Sequence, residues 1–184
     1  MLFSPGWRAP VRQGEVLAVF TLGLLLGGTL SAAVIWLLSG LSAPLPPWAR
    51  TSAILAVAAL GAAREFGLLR LPLPQNARQI PPEVLQSHLR RGTLQFGFEL
   101  GTGVRTYVPA TAPYVLALAL LLAHEDLPLT LLAGAAFGLG RALSAALTYL
   151  ARDDHRDTAV AARMPITKTA TAVVSLSALA LLLA

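Results

Sequence analysis

The stretch from Arg91 to Ala123, RGTLQFGFELGTGVRTYVPATAPYVLALALLLA, limits what this chain can become. Most of it is apolar, yet it holds Glu99, Arg105, the glycines Gly97, Gly101 and Gly103, and prolines at Pro109 and Pro113. About 20 apolar residues already cross a hydrocarbon core, so this stretch is too long for one straight span. The pattern predicts a broken helix: a Gly-rich first half, an unwound turn near Arg105 to Pro113, and an apolar second half. Non-helical backbone survives at membrane depth only where protein or a water-filled cavity covers it. Ionisable residues beside such a break are read as a functional site.

Composition points the same way. Only 12% of the 184 residues are charged and 55% are hydrophobic, against roughly 25% charged in soluble domains. The net charge of +5 does not lead to nucleic acid, because the basic residues sit between apolar runs and report topology. There is no cysteine, which excludes disulfides, thiolate metal ligands and thiol redox chemistry.

The expected fold is all-α, a polytopic membrane bundle of about five transmembrane helices. Val16 to Leu41 is the first span, with Gly23-x-x-x-Gly27 as a face for close helix approach. Ser31-Ala32-Ala33 loosely suits a cleavage site, but signal-peptide apolar regions run roughly 7–15 residues, so a retained helix is expected. Ser42 to Arg50 is a Pro-rich turn with an interfacial Trp48, and Thr51 to Leu69 is the second span. Arg70 to Arg91 is the longest polar stretch; Pro81-Pro82-Glu83 is a helix start, and Pro82 to Arg91 is expected to be a short helix lying on the membrane surface. The broken third span follows. Leu129 to Leu150 is the fourth, with Gly134-x-x-x-Gly138 and Arg141, and Ile166 to Ala184 is the fifth. Lysine and arginine gather before span one, between spans two and three, and between spans four and five. The positive-inside bias then predicts a cytoplasmic N-terminus and an external C-terminus, in a bacterial-type cytoplasmic membrane.

An internal duplication is expected. Leu55 to Phe66 (LAVAALGAAREF) and Leu132 to Leu143 (LAGAAFGLGRAL) agree at six of twelve positions, among them Gly61/Gly138 and Arg64/Arg141. The predicted units are 15–92 and 93–165, with an extra helix 166–184, all in one membrane domain. Two spans per unit keep the orientation, so the halves would be related by an axis along the membrane normal.

The candidate substrate-binding residues are Glu99, Arg105, Tyr107, Arg141, Arg64, Pro109 and Pro113. Arg64 and Arg141 either point into the bundle toward an anionic group (Glu65, Glu99 or a substrate) or snorkel to the headgroups. Glu99 and Arg105 are six residues apart, so they share no face of a continuous helix and would meet only across the break. If the span instead begins at Thr106, both lie before the membrane. Tyr107, with Thr106, Thr111 and Tyr114, offers hydroxyls, and Pro109 and Pro113 free backbone carbonyls. His88, His124 and His155 all fall in loops, no spacing suits a metal, and no nucleophile–base set or phosphate-cradling loop is present. No cofactor and no enzymatic activity are therefore expected.

The glycine and proline placement in FGFELGTGVRTYVPATAPYVLAL, with LPLPQNARQIP before it, resembles the LysE/CcdA/DsbD-type superfamily of small membrane exporters over about Leu71 to Ala123. That resemblance implies a small duplicated membrane bundle. The paired membrane cysteines of the CcdA/DsbD type are missing, so electron relay does not carry over, and six spans are common there against five here. Two functions fit: a transporter or permease for a small solute with a polar site near the midplane, or a non-catalytic accessory or scaffold subunit of a larger membrane complex. The expected partners are the lipid bilayer, a second copy or another membrane subunit, and a small-molecule substrate, with no nucleic acid.

Overall fold

The computed structural model describes residues 13–70, 89–103 and 110–151. They form five α-helices and one short 3-10 turn, with no strand among the described residues. The helices are α1 (Gln13–Ser39), α2 (Pro47–Glu65), α3 (Leu89–Gly101), α4 (Ala112–Ala123) and α5 (Leu127–Ala151), and the 3-10 turn Gly40–Ser42 follows α1. The described residues are therefore all-helical. Of the described helices, two are long and apolar enough to cross a membrane: Gly14–Ser42, which takes in α1 from Gly14 onward, and Leu127–Ala146 within α5. Five spans were expected. α2 has the length, but Arg50, Arg64 and Glu65 and its many alanines leave it less apolar. The fifth expected span, 166–184, lies outside the described residues, as do 71–88 of the polar stretch.

The expected third span is two helices. α3 is 13 residues and α4 is 12, so each is roughly 18–20 Å long at 1.5 Å per residue, well short of a ~30 Å hydrocarbon core. α3 stops where Gly103 takes φ +70, a left-handed conformation that glycine adopts without cost. Pro113 sits inside the first turn of α4, not in the break: its missing N–H is one that a helix start leaves unpaired anyway. Arg105, Tyr107 and Pro109 lie outside the described residues.

The other helix ends follow local chemistry. Pro46 and Pro47 start α2. Gly67 ends it at φ +76, with Leu68 N–H donating to the Ala63 carbonyl at 2.8 Å and Gly67 N–H to the Arg64 carbonyl at 3.0 Å, the paired bonds of a Schellman motif. Within α1, Thr21 and Thr29 donate their hydroxyls to the Leu17 and Leu25 carbonyls at 2.8 Å. Each hydroxyl is thus satisfied inside its own helix, as an apolar environment requires.

The chain divides into two compact units. The first contains α1 as far as Ala32, α3, and α5 from Leu131 onward. Its core is Phe20, Leu24 and Ala142, with Phe96, Leu100 and Ala145 against them; the Phe20 and Phe96 rings stack at 5.7 Å. Glycine governs its packing. A Cβ at Gly23 would strike the Leu94 carbonyl and lie 2.8 Å from Phe98 N, and one at Gly97 would strike the Phe20 carbonyl. Gly27 and Gly101 repeat this one turn on, against Phe98 and Leu24. Gly28 and Gly134 meet each other's carbonyls, and Gly138 meets Leu24. α1 is thus gripped along two rows of backbone contact, by α3 on one side and α5 on the other. Small residues allow such close approach where van der Waals packing is the main attraction between helices.

The second unit contains the end of α1 from Ala33, the 3-10 turn, α2, α4 and the first turn of α5. α2 and α4 pack antiparallel around Ile54, Ala58, Val115 and Ala119. Gly61 leaves room for the Val115 side chain.

Candidate functional site

In the second unit, polar groups gather at both ends of α4. Thr111 precedes its first turn and makes no cap bond with its own side chain. Glu65 from α2 does the capping: one carboxylate oxygen accepts the Thr111 N–H at 3.0 Å and the Thr111 hydroxyl at 2.7 Å. Arg64 donates to the same hydroxyl oxygen at 2.8 Å. Thr111 is buried, and its hydroxyl bridges a guanidinium and a carboxylate by accepting from one and donating to the other. A carboxylate suits the positive end of a helix dipole.

At the other end of α4, Arg50 donates to the Ala123 carbonyl at 3.4 Å and Ser42 to the Leu122 carbonyl at 3.3 Å. His124 then turns the chain at φ 58, with its Nδ1 3.1 Å from the Ser39 hydroxyl. A serine beside a histidine invites a catalytic reading, but Ser39 is 1% exposed and donates its proton to the Trp36 carbonyl at 2.6 Å. With that proton turned to Trp36, the serine oxygen can accept from His124 when Nδ1 carries the proton, an arrangement in which the histidine does not act as a base toward the serine.

In the first unit, α3 is two-faced. Arg91, Gln95, Glu99 and Thr102 recur at intervals of four, four and three, so they share one side; Gly97 and Gly101 lie on the side turned to α1. Gln95 donates to Glu99 at 3.1 Å, and the Thr102 hydroxyl donates to the Glu99 carbonyl at 2.8 Å. Arg90, beside this row, pairs with Glu15 of α1. Arg141 of α5 lies over the Phe137 ring at 5.7 Å, a cation–π arrangement. That ring is also the nearest neighbour of Gly103, at 3.7 Å from where a Cβ would stand. Phe137 thus joins the Arg141 face of α5 to the end of α3.

Of the sequence-derived candidates, Glu99 and Arg141 belong to the first unit and Arg64 and Pro113 to the second. Arg64 donates to the Thr111 hydroxyl. Among the described residues no three His, Asp or Glu side chains converge in a way that would hold a metal. Three features were missed from the sequence. Gly97-x-x-x-Gly101 was readable and pairs with Gly23-x-x-x-Gly27. The capping by Arg50 and the Ser39–His124 contact join residues 73 and 85 positions apart, with no local signal for either. No family model, no curated protein and no solved structure matches this chain.

Proposed function

We propose that the chain is a multi-pass integral membrane protein of the permease type, with a polar site for a small solute on the broken third span. The observation that carries this is the position of Glu99. α3 lies against α1 from Phe20 and Gly23 to Leu24 and Gly27, so Glu99 is level with the inner part of a helix long enough to span. Leu24 is ten residues past Gly14, roughly 15 Å along that helix. Membrane residence is supported by what α1 and the turn after it leave outward: Leu22, Leu26, Leu30, Leu37 and Leu41 are each 47–77% exposed. In a soluble core helix these would be covered. Glu99 and Arg141, with Arg105 and Tyr107 next in sequence, form the proposed site.

The finer proposal is five spans, N-terminus inside a bacterial-type cytoplasmic membrane, with a duplicated two-span unit and distant kinship to the LysE/CcdA/DsbD-type exporters. The duplication draws support from a reciprocal pattern: Gly61 of α2 packs on α4, and its counterpart Gly138 of α5 packs on α1. The second reading, an accessory subunit, is favoured by Glu65 and Arg50, which are used to hold α4.

The test is thermal stabilisation of the purified chain by a panel of small solutes. A bound solute at 100 times its Kd adds about 2.7 kcal/mol. A hit should vanish in Glu99→Gln and in Arg141→Leu while the unliganded melting temperature stays put. No stabilising solute, together with a different subunit co-purifying in fixed ratio, would favour the accessory reading.

A further inference from the structure

We propose that Phe137 is a positioning residue for Arg141, holding its guanidinium in register with the turn that ends α3. All the residues concerned lie in the first unit. Phe137 and Arg141 stand four apart on α5, so they share one face, and the guanidinium carbon lies 5.7 Å from the ring centroid. The rim of the same ring faces Gly103: a Cβ there would stand 3.7 Å from Cε1 and from Cζ. One ring thus touches a charge on α5 and the last turn of α3.

The two supports of that ring are fixed independently of it. Gly134 and Gly138 lie against the backbone of α1, and Ala142 is buried with Phe20 and Leu24. Rotation of α5 about its own axis is therefore blocked, and Phe137, next to Gly138, is held toward Gly103. The turn is fixed as well. Gly103 donates its N–H to the Leu100 carbonyl at 3.2 Å, and Ser31 of α1 donates to the Thr102 carbonyl at 3.1 Å. An arginine side chain has a long stem with many rotamers, and a ring held on such a base removes most of them. A cation over a ring is held by its charge, so the N–H donors of the guanidinium serve hydrogen bonds to other groups. Arg141 is in this way a charge with a set position, which is what a solute site requires of it. That last step rests on the permease reading above; the registration of Arg141 to the turn does not.

The test follows Arg141 in the full chain by nuclear magnetic resonance in detergent micelles. Arginine side chains are isotope-labelled, and the Arg141 signals are identified by their loss in Arg141→Lys. Its δ-methylene protons should be displaced upfield by the ring. Phe137→Leu should abolish that displacement, and Phe137→Trp should keep it. Gly103→Asn, which tolerates positive φ, should move the Arg141 signals when Phe137 is present and not when leucine replaces it. Should Phe137→Leu fail to fold, pentafluorophenylalanine in place of Phe137 keeps the shape and inverts the ring's charge distribution, and it too should release Arg141. Unmoved signals in a folded Phe137→Leu or pentafluoro variant overturn the proposal, as does a Gly103→Asn that leaves them in place. A solute that stabilises the parent should bind Phe137→Leu about fivefold more weakly and Phe137→Trp as tightly as the parent. Equal affinity in Phe137→Leu overturns its role in the site. If the signals behave as stated and no solute in the panel binds, the permease reading falls and the registration stands.

Discussion

Arg50 and Glu65 stand fifteen residues apart on α2 and hold opposite ends of the same neighbouring helix. Glu65 accepts from the start of α4 and Arg50 donates to its last carbonyl. Each charge has the sign that the nearby helix end prefers. Fifteen residues of helix rise about 22 Å, a little more than the roughly 18 Å of α4, so the spacing on α2 matches the length that it clamps.

The clamp predicts separable losses. Glu65→Ala removes two hydrogen bonds and a favourable charge, and should cost about 1–3 kcal/mol. Arg50→Met keeps the stem and loses only the long contact to Ala123, and should cost about 0.5–1 kcal/mol. The ends lie far enough apart for the two costs to add in the double variant. Reversible unfolding in mixed detergent measures all three, and strong non-additivity would mean that the two ends are not independent.

Glycine substitutions should sort by what a methyl group would meet. Gly97→Ala and Gly23→Ala press a Cβ onto backbone of the facing helix, which cannot turn aside as a side-chain tip can. Overpacking of this kind costs about 1–3 kcal/mol or more. Gly140→Ala has nothing within 4 Å and should stabilise α5 by about 0.5–1 kcal/mol through helix propensity. Melting temperatures of the three variants settle the order, and a destabilised Gly140→Ala would contradict it.

Topology can be read separately from packing. Reporter fusions after Lys168 should be cytoplasmic and fusions after Ala184 external, because the basic loops alternate consistently. A cytoplasmic signal after Ala184 would show one span miscounted.

The helices themselves were largely legible. Val16 to Leu41 is apolar and free of proline, so α1 follows from composition alone; the break was expected near Arg105 to Pro113, whereas α3 already ends at Gly101 and Pro113 is inside α4. Arg64 was expected as a charge within the second span, with Glu65 as one candidate partner. What the sequence hid was the intermediary, because Thr111 lies 46 residues from Glu65 and nothing local marks a threonine as the bridge between two charges. The polar row of α3 was hidden for another reason. Glu99 was weighed against Arg105, and the four-residue spacing to Gln95 and Arg91 has meaning only once 89–101 is one unbroken helix.

The bridge at Thr111 also sets an order of events during synthesis. α2 leaves the ribosome first, and 46 residues must follow Glu65 before Thr111 exists; at 5–20 residues per second this takes about 2–9 s. Through that interval neither Glu65 nor Arg64 has this threonine to bond, and α2 lacks the helix that covers Ile54 and Ala58. α4 in turn is too short to insert by itself. The two helices are therefore expected to enter the bilayer as a pair and not one after the other. In chains arrested before Thr111, a cysteine placed in α2 should react with a membrane-impermeant thiol reagent, and in chains arrested well beyond Ala123 it should be protected.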